Sequence, residues 1–444
     1  MVQLEHFEDP TPELARAIAR AFTLLFQLLN LAEQKEIVRV NRERGERGET
    51  IAEAAAHLGP RLAEAAARVE VVPTLTAHPT EAKRKAILDK LQAVAFALDA
   101  FDRPPALDGR MDESARKEAD LDELLLELWL TDELREQRLT VEEEVRNALY
   151  FFDRTILTVV PWLMEDLRAV GAEEARIRYR SWVGGDRDGN PNVTAEVSRW
   201  TLEQHRELAL HRIADDLATL RRALTVSDTL APLSRETAQA LAAHDARLAP
   251  RAQERYAHEP FVRFLLVCED RLARTGDGGK ERYATPTELL TDLDLVATGL
   301  KECGAEAVAH IRLDELRDRV SAFGFHLAAL DVRQHSDVHE RVIGDLLTRA
   351  GVLAEGEYAS AEEVGKLAVL HAELANPRPL LPVGAIPDGE LAEALATLRT
   401  IAWSHSNLGP DSVRAYVVSM SHGVSDLLEV LLLAKEAGLL SGGA

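Results

Sequence analysis

Ile177-Arg-Tyr-Arg-Ser-Trp-Val183 breaks the helical periodicity around it, runs into Gly184-Gly-Asp-Arg-Asp-Gly-Asn-Pro191, and is followed by the helical pattern of Ala195 to Leu224. A short apolar run, a glycine-bearing loop and a helix make a β-then-α step. The same rhythm recurs at Val71 to Thr76, Gly324 to Val332 and Ala415 to Met420. Strands separated by helices imply parallel pairing with right-handed crossovers, in an open doubly wound sheet or a (β/α) barrel. The connections run to many tens of residues, which fits a barrel with large helical excursions better than a compact dinucleotide-binding domain.

The remaining chain reads as helix. Its 444 residues are 46% hydrophobic but only 5% aromatic, so Leu and Ala carry most of the apolar load, a balance that favours helices. Helical spacing covers Thr11 to about Arg44, Ile51 to Val69, Glu113 to about Leu167 and Ala195 to Leu224. Thr275 to Lys280 and Glu355 to Tyr358 read as surface loops. Ser425 and Asp426 suit the start of a last helix, and Gly438 its end. The expected architecture is mostly α with a partial parallel β/α barrel, as one unit over residues 1–444.

Charge and cysteine usage narrow the function. The net charge of -23 argues against nucleic acid or an anionic membrane as partner. Cys268 and Cys303 show no zinc or redox spacing. The first ten residues contain Glu5, Glu8 and Asp9 where a secretory signal needs basic and then apolar residues. No run reaches the roughly 18 apolar residues of a membrane span. A cytoplasmic protein is expected.

Polar residues gather where the strand-like runs end. After the first come Thr76, Ala77, His78, Pro79, Thr80 and Glu81, then Lys83, Arg84 and Lys85. His78 can hold or move a proton near neutral pH, and Pro79 keeps its backbone extended; it could equally satisfy a loop carbonyl. After the second, the glycines permit a tight turn, and Arg187 suits a carboxylate or phosphate. Pairing of Arg187 with Asp186 or Asp188 is the alternative. The loop lacks the Gly-Lys-Ser/Thr of a P-loop. After the third, alternation puts Asp331 and Arg333 on one face with Phe325, Leu327 and Ala329. Arg333 could take a phosphate or pair with Asp331. His335 and His339, four apart, lack a third metal ligand and are expected to face solvent or a phosphate.

The segments Thr74-Leu-Thr-Ala-His-Pro-Thr-Glu-Ala-Lys-Arg84, Ser181-Trp-Val-Gly-Gly-Asp-Arg-Asp-Gly-Asn-Pro-Asn-Val-Thr194, Phe323-Gly-Phe-His-Leu-Ala-Ala-Leu-Asp-Val-Arg-Gln334 and Tyr416-Val-Val-Ser-Met-Ser421 with Ser425 and Asp426 resemble phosphoenolpyruvate carboxylases, in that order. The second is close to diagnostic. The resemblance runs from about residue 10 to the end and is weaker near Leu224 to Ala257 and Val352 to Arg378. It implies a (β/α)8 barrel surrounded by helices, joining phosphoenolpyruvate and bicarbonate into oxaloacetate and phosphate with Mg2+ or Mn2+. It makes His78 the catalytic histidine, Arg333 the arginine on the substrate phosphate, and Arg187 an active-site neighbour. Thr76, Pro79, Glu81, Arg84, Asp186, Asp188, Asn190, Asp331 and Gln334 stand beside them in the matching motifs.

Members of that family are about twice as long. Their other half brings the acidic metal ligands, a second catalytic base, a mobile Gly-Arg-Gly-Gly loop and further phosphate-binding arginines, so no metal ligand is expected in this chain. Four strands of an eight-stranded barrel leave open edges that invite association. A C-terminal-half polypeptide or self-association is therefore expected. The alternative is a non-catalytic phosphoenolpyruvate-binding or regulatory protein.

Overall fold

A computed structural model of the protein describes residues 11–44, 50–76, 84–101, 113–132, 139–381 and 385–440. The chain divides into two compact units: Met1–Ala54 with His78–Leu139, and Ala55–Ala77 with Thr140–Ala444.

The first unit contains helices Pro12–Arg44, Lys85–Phe101 and Glu113–Leu130. Leu24, Ile87 and Leu128, one from each helix, are buried together. Arg20 lies 5.5 Å from the Trp129 ring centroid, and Lys35 pairs with Asp99 at 2.6 Å. One expectation is corrected here: by length and composition, Pro12–Val40 is apolar enough to cross a membrane. Leu24 faces the small core, whereas Leu14, Ile18, Phe22, Leu25 and Leu29 are exposed.

The second unit is mostly helical and holds the short strands. They are β1 (Glu70–Val71), β2 (Thr74–Leu75), β3 (Arg176–Ile177), β4 (Arg180–Ser181), β5 (Ala329–Leu330), β6 (Val332–His335) and β7 (Tyr416–Ser419). All pairings among them are parallel: β1 with β3, β2 with β4, β4 with β5, and β6 with β7. The strand-like stretches therefore lie side by side in chain order. Helices follow at Ala195–Ala223, Ser336–Arg349 and Ser425–Glu436. Thr194 caps the first of these by accepting from the Val197 N–H at 3.3 Å.

The apolar residues divide between two main cores. Leu217, Leu220, Phe261, Leu265, Leu293 and Leu316 fill the space between helices. Leu330 and Val332 carry the strands into the other core, with Ile343, Leu346, Leu395 and Leu432. Tyr179 joins strand to helix by stacking on Phe323, with ring centroids 5.5 Å apart.

Several boundaries differ from the sequence expectations. The third strand-like run starts at Ala329, not Gly324, because the helix His310–Phe323 ends at Gly324 (φ 53°) and Leu327 takes φ 62°. Regular alternation from Phe325 is thus broken, and Phe325 packs in the helical core. The run Ile51 to Val69 is interrupted at Gly59–Arg61, where Pro60 sits in a short 3-10 turn. Thr275 is buried inside helix Pro260–Asp277, its hydroxyl accepting from the Tyr283 N–H at 2.9 Å.

Gly278 to Lys280 and Glu355 with Gly356 are turns at or near the surface as expected, but the second segment too runs into helix. Glu357–Ser360 is a helical turn, and Tyr358 is buried, donating to Glu429 Oε1 at 2.8 Å. Glu429 is itself fully buried, and its Oε2 has no partner. Burial pushes this carboxyl up to about 7, against the pull of the Tyr358 hydroxyl. Between its ordinary value of 4.5 and about 7 the folded chain keeps a proton that the unfolded chain releases. Stability is therefore expected to fall across that window, by about 3 kcal/mol, and to level off above it. Urea midpoints of the wild type and Glu429→Gln between about pH 5 and about pH 8 check this, since the variant should lose most of the slope.

Candidate active site

Just past the carboxyl ends of β4 and β5, the residues of the glycine loop come together with those around Arg333. In parallel sheets this end is where ligands bind. At the opposite, amino ends lies a cavity of about 500 Å³ lined by Arg176, Arg178, His326 and Asp411. There Arg178 is already engaged with Glu70 at 3.2 Å and with Asp411 at 3.6 Å.

The glycine loop continues the strand pairing past β4. Arg333 N–H donates to Gly185 O at 3.0 Å, and Arg187 N–H donates to Arg333 O at 2.9 Å. Such close approach dictates the two glycines. A Cβ on Gly184 (φ 84°) would fall on the Thr201 hydroxyl, and one on Gly185 on the backbone oxygen of Asp331.

Side chains of the loop then close on Arg333. Its Nη1 donates to Asp186 Oδ2 at 3.0 Å and its Nη2 to Asp188 Oδ2. Asp186 Oδ1 accepts from the Asp188 N–H at 3.2 Å, tying the two carboxylates together. The guanidinium carbon of Arg333 lies 5.2 Å from the Trp182 ring centroid, a cation–π distance. Burial pushes the Asp186 carboxyl up from its ordinary value, with Arg333 opposing.

Asp331 does not pair with Arg333. It is buried, accepts from Trp182 Nε1 at 3.3 Å and faces Arg180 at 3.7 Å. Burial raises its carboxyl, and Arg180 pulls it back. Neither Arg180 nor Trp182 stood out among the sequence candidates. Strand alternation could have found both, because the β4–β5 register of Ser181 with Leu330 sets Trp182 opposite Asp331 at the next step.

Arg187 turns inward. It is buried, donating through Nη2 to Ser198 Oγ at 2.8 Å and through Nη1 to Gly185 O at 3.2 Å. Ser198 Oγ donates to Gly184 O at 2.6 Å, so this arginine props the loop from behind. Among the described residues no carboxylate lies within ion-pair distance of it, and its Nε has no partner. Burial lowers its pKa from the ordinary value. The alternative of an Arg187 pair with Asp186 or Asp188 is not what forms.

The other candidates are scattered. Asn190 Oδ1 accepts from the Asn192 N–H at 3.1 Å, and Gln334 Oε1 from the His335 N–H at 2.8 Å. Thr76 follows β2 and is exposed. Arg84 belongs to the other compact unit, where it reaches Asp132 O at 3.5 Å. His78, Pro79 and Glu81 lie outside the described residues. His335 caps helix Ser336–Arg349, accepting from the Asp337 N–H at 3.1 Å. His339, expected at solvent or a phosphate, is instead buried against the Tyr416 hydroxyl at 2.8 Å, and burial lowers it to about 4.

The described residues do not fit a magnesium or manganese site. Among them no group of three His, Cys, Asp or Glu side chains is placed to hold an ion, and the nearby carboxylates are engaged by arginines or the Trp182 indole.

Comparison with known proteins agrees with the motifs. The family model described as phosphoenolpyruvate carboxylase matches residues 4–444. A phosphoenolpyruvate carboxylase of Rhodothermus marinus is 40% identical, over 95% of this chain and 48% of its own length. Namesakes from Azorhizobium caulinodans and Thermus thermophilus are 37% and 35% identical, over 98% and 99% of this chain and 49% of each relative. The chain thus spans about half the length of the curated relatives it matches, and it belongs to the phosphoenolpyruvate carboxylase family.

Proposed function

We propose that this chain supplies the phosphate-binding end of a phosphoenolpyruvate carboxylase, active once joined by the sequence that the relatives carry beyond the matched half, whether on the same chain or on a second polypeptide. The observation that carries this reading is the seat of Arg333, a guanidinium on the parallel strand β6, just past the carboxyl ends of β4 and β5, held by two carboxylates of a neighbouring loop. Such an arginine suits a transferring phosphoryl group, whose charge planar donors stabilise.

In the reaction implied by the family, a bicarbonate oxygen attacks phosphorus and the bond from phosphorus to the enol oxygen breaks. The electron pair stays on the pyruvate enolate, and carboxyphosphate forms. Carboxyphosphate then releases carbon dioxide and phosphate, and the enolate methylene carbon adds to the carbon dioxide to give oxaloacetate. Arg333 would hold the phosphoryl oxygens throughout, and His78 would take or position the proton of carboxyphosphate. Mg2+ or Mn2+, which this reading assigns to ligands in that further sequence, would stabilise the enolate.

The sheet supports completion by further strands. β7 pairs only with β6 among the described strands, and Met420, Val424, Leu427 and Leu431 beside it are exposed. Further strands there would close a (β/α)8 barrel and cover both the edge and the apolar stripe.

Mixing the chain with a polypeptide corresponding to the relatives' second half tests the proposal. Bicarbonate-dependent oxaloacetate formation is expected from the mixture and not from the chain alone. Stable association without turnover would favour the second reading, a phosphoenolpyruvate-binding or regulatory protein, which the intact Arg333 seat also accommodates. Turnover by the chain alone would overturn both.

A further inference from the structure

We propose that Asp186 and Asp188 are positioning residues, which fix the Arg333 guanidinium in one orientation for a phosphoryl group against the Trp182 ring. The inference rests on the reading of Arg333 as a phosphate ligand.

Arginine side chains are long and lose considerable rotamer freedom when ordered. Here the ordering is done before any ligand arrives. The backbone of Arg333 is held at both its N–H and its carbonyl by the loop. Its end is gripped by Asp186 on Nη1 and Asp188 on Nη2. Its guanidinium carbon lies over the Trp182 ring, 5.2 Å from the centroid, and that indole is in turn tied to the buried Asp331. A guanidinium has five N–H donors. The two carboxylates occupy one on each Nη, which leaves donors for a ligand.

Charge makes a simple anion-binding role for the pair unlike a positioning role. Two carboxylates against one guanidinium leave the cluster net negative, so they weaken the attraction of Arg333 for phosphate at rest. Neutral acceptors would avoid that cost but would grip the guanidinium far more loosely. Carboxylates at this spot are better explained by orientation, because tight charge-assisted bonds define the donor directions that a transition state requires. Ground-state affinity is lowered and the reacting geometry is favoured.

The two effects separate experimentally. Asp188→Asn keeps the shape and removes a charge; Asp188→Glu keeps the charge and shifts the carboxylate by one methylene. In the full chain with labelled arginine, nuclear magnetic resonance should show the Arg333 guanidinium restricted in the wild type and rotating freely in Asp188→Asn. Inorganic phosphate should bind Asp188→Asn several-fold tighter, and Asp188→Glu no tighter. In the complemented enzyme both variants should lose about ten-fold or more in kcat without a matching rise in KM. Equal restriction of Arg333 and equal phosphate affinity in wild type and Asp188→Asn would sink the positioning role alone. Phosphate binding that Arg333→Ala leaves unchanged would instead sink the phosphate reading on which it rests.

Discussion

Replacing Gly185 with alanine is expected to destabilise the folded chain by about 3 kcal/mol or more. The added Cβ would land on the backbone oxygen of Asp331 and lie 3.1 Å from Leu330 Cγ and Cδ1. A flexible side chain could step aside. A strand carbonyl cannot, because the Asp331 N–H is itself donated to Ser181 O at 2.9 Å and the next residues pair with β7. Relief would push the loop away from Arg333 and break the Gly185–Arg333 hydrogen bond. A urea midpoint measures the loss. Gly189→Ala is the internal control: its Cβ would meet nothing within 4 Å, but the residue has φ 73°. It should cost about 1 kcal/mol, the strain of a left-handed alanine.

The other large effect is functional. In the complemented enzyme, Arg333→Ala is expected to lower kcat/KM for phosphoenolpyruvate by about 1000-fold, in the range for losing a charged donor to a developing phosphoryl charge. Arg333→Lys should recover little. A lysine ammonium is a point charge and cannot bridge Asp186 and Asp188 while presenting a fork to a ligand. Steady-state kinetics with saturating bicarbonate separates the outcomes, and a urea midpoint for each variant shows how much comes from two carboxylates left unpaired. Near-wild-type turnover by Arg333→Ala would remove the proposed role.

Much of the architecture was legible because it is local. The helix beginning at Ala195 is announced by Thr194 and by periodic apolar residues, and the last helix does begin at Ser425. Even so, Asp426 accepts from the His422 and Gly423 N–H groups, at 2.6 Å and 3.0 Å, and so fixes the preceding loop. The parallel strands fell near the runs that broke helical periodicity. Their edges did not, since an apolar stretch such as Phe325 to Leu330 serves a buried turn as well as a strand.

What stayed hidden is settled by partners far along the chain. Whether Arg187 faces a ligand or the interior depends on Ser198, on the following helix. Asp331 and Arg333 look like a pair in sequence, yet each finds opposite charge on the neighbouring strand and its loop, about 150 residues away. Tyr358 sits in a polar stretch that reads as loop, and the distant core residues and Glu429 that it meets explain its burial. Glycines mislead in the same way at Gly276, which lies inside a helix whose Thr275 anchors the next segment.

The glycine loop also bears on motion. Because Arg187 N–H and Gly185 O are hydrogen-bonded to Arg333 as if they belonged to a strand, the loop shares the sheet's cooperative unit instead of opening by itself. A catalytic cycle needs some element that lets substrate in and shuts water out on the microsecond-to-millisecond scale. In the proposed carboxylase this loop would be the stationary wall of such a device, and the gate would lie in another part of the protein.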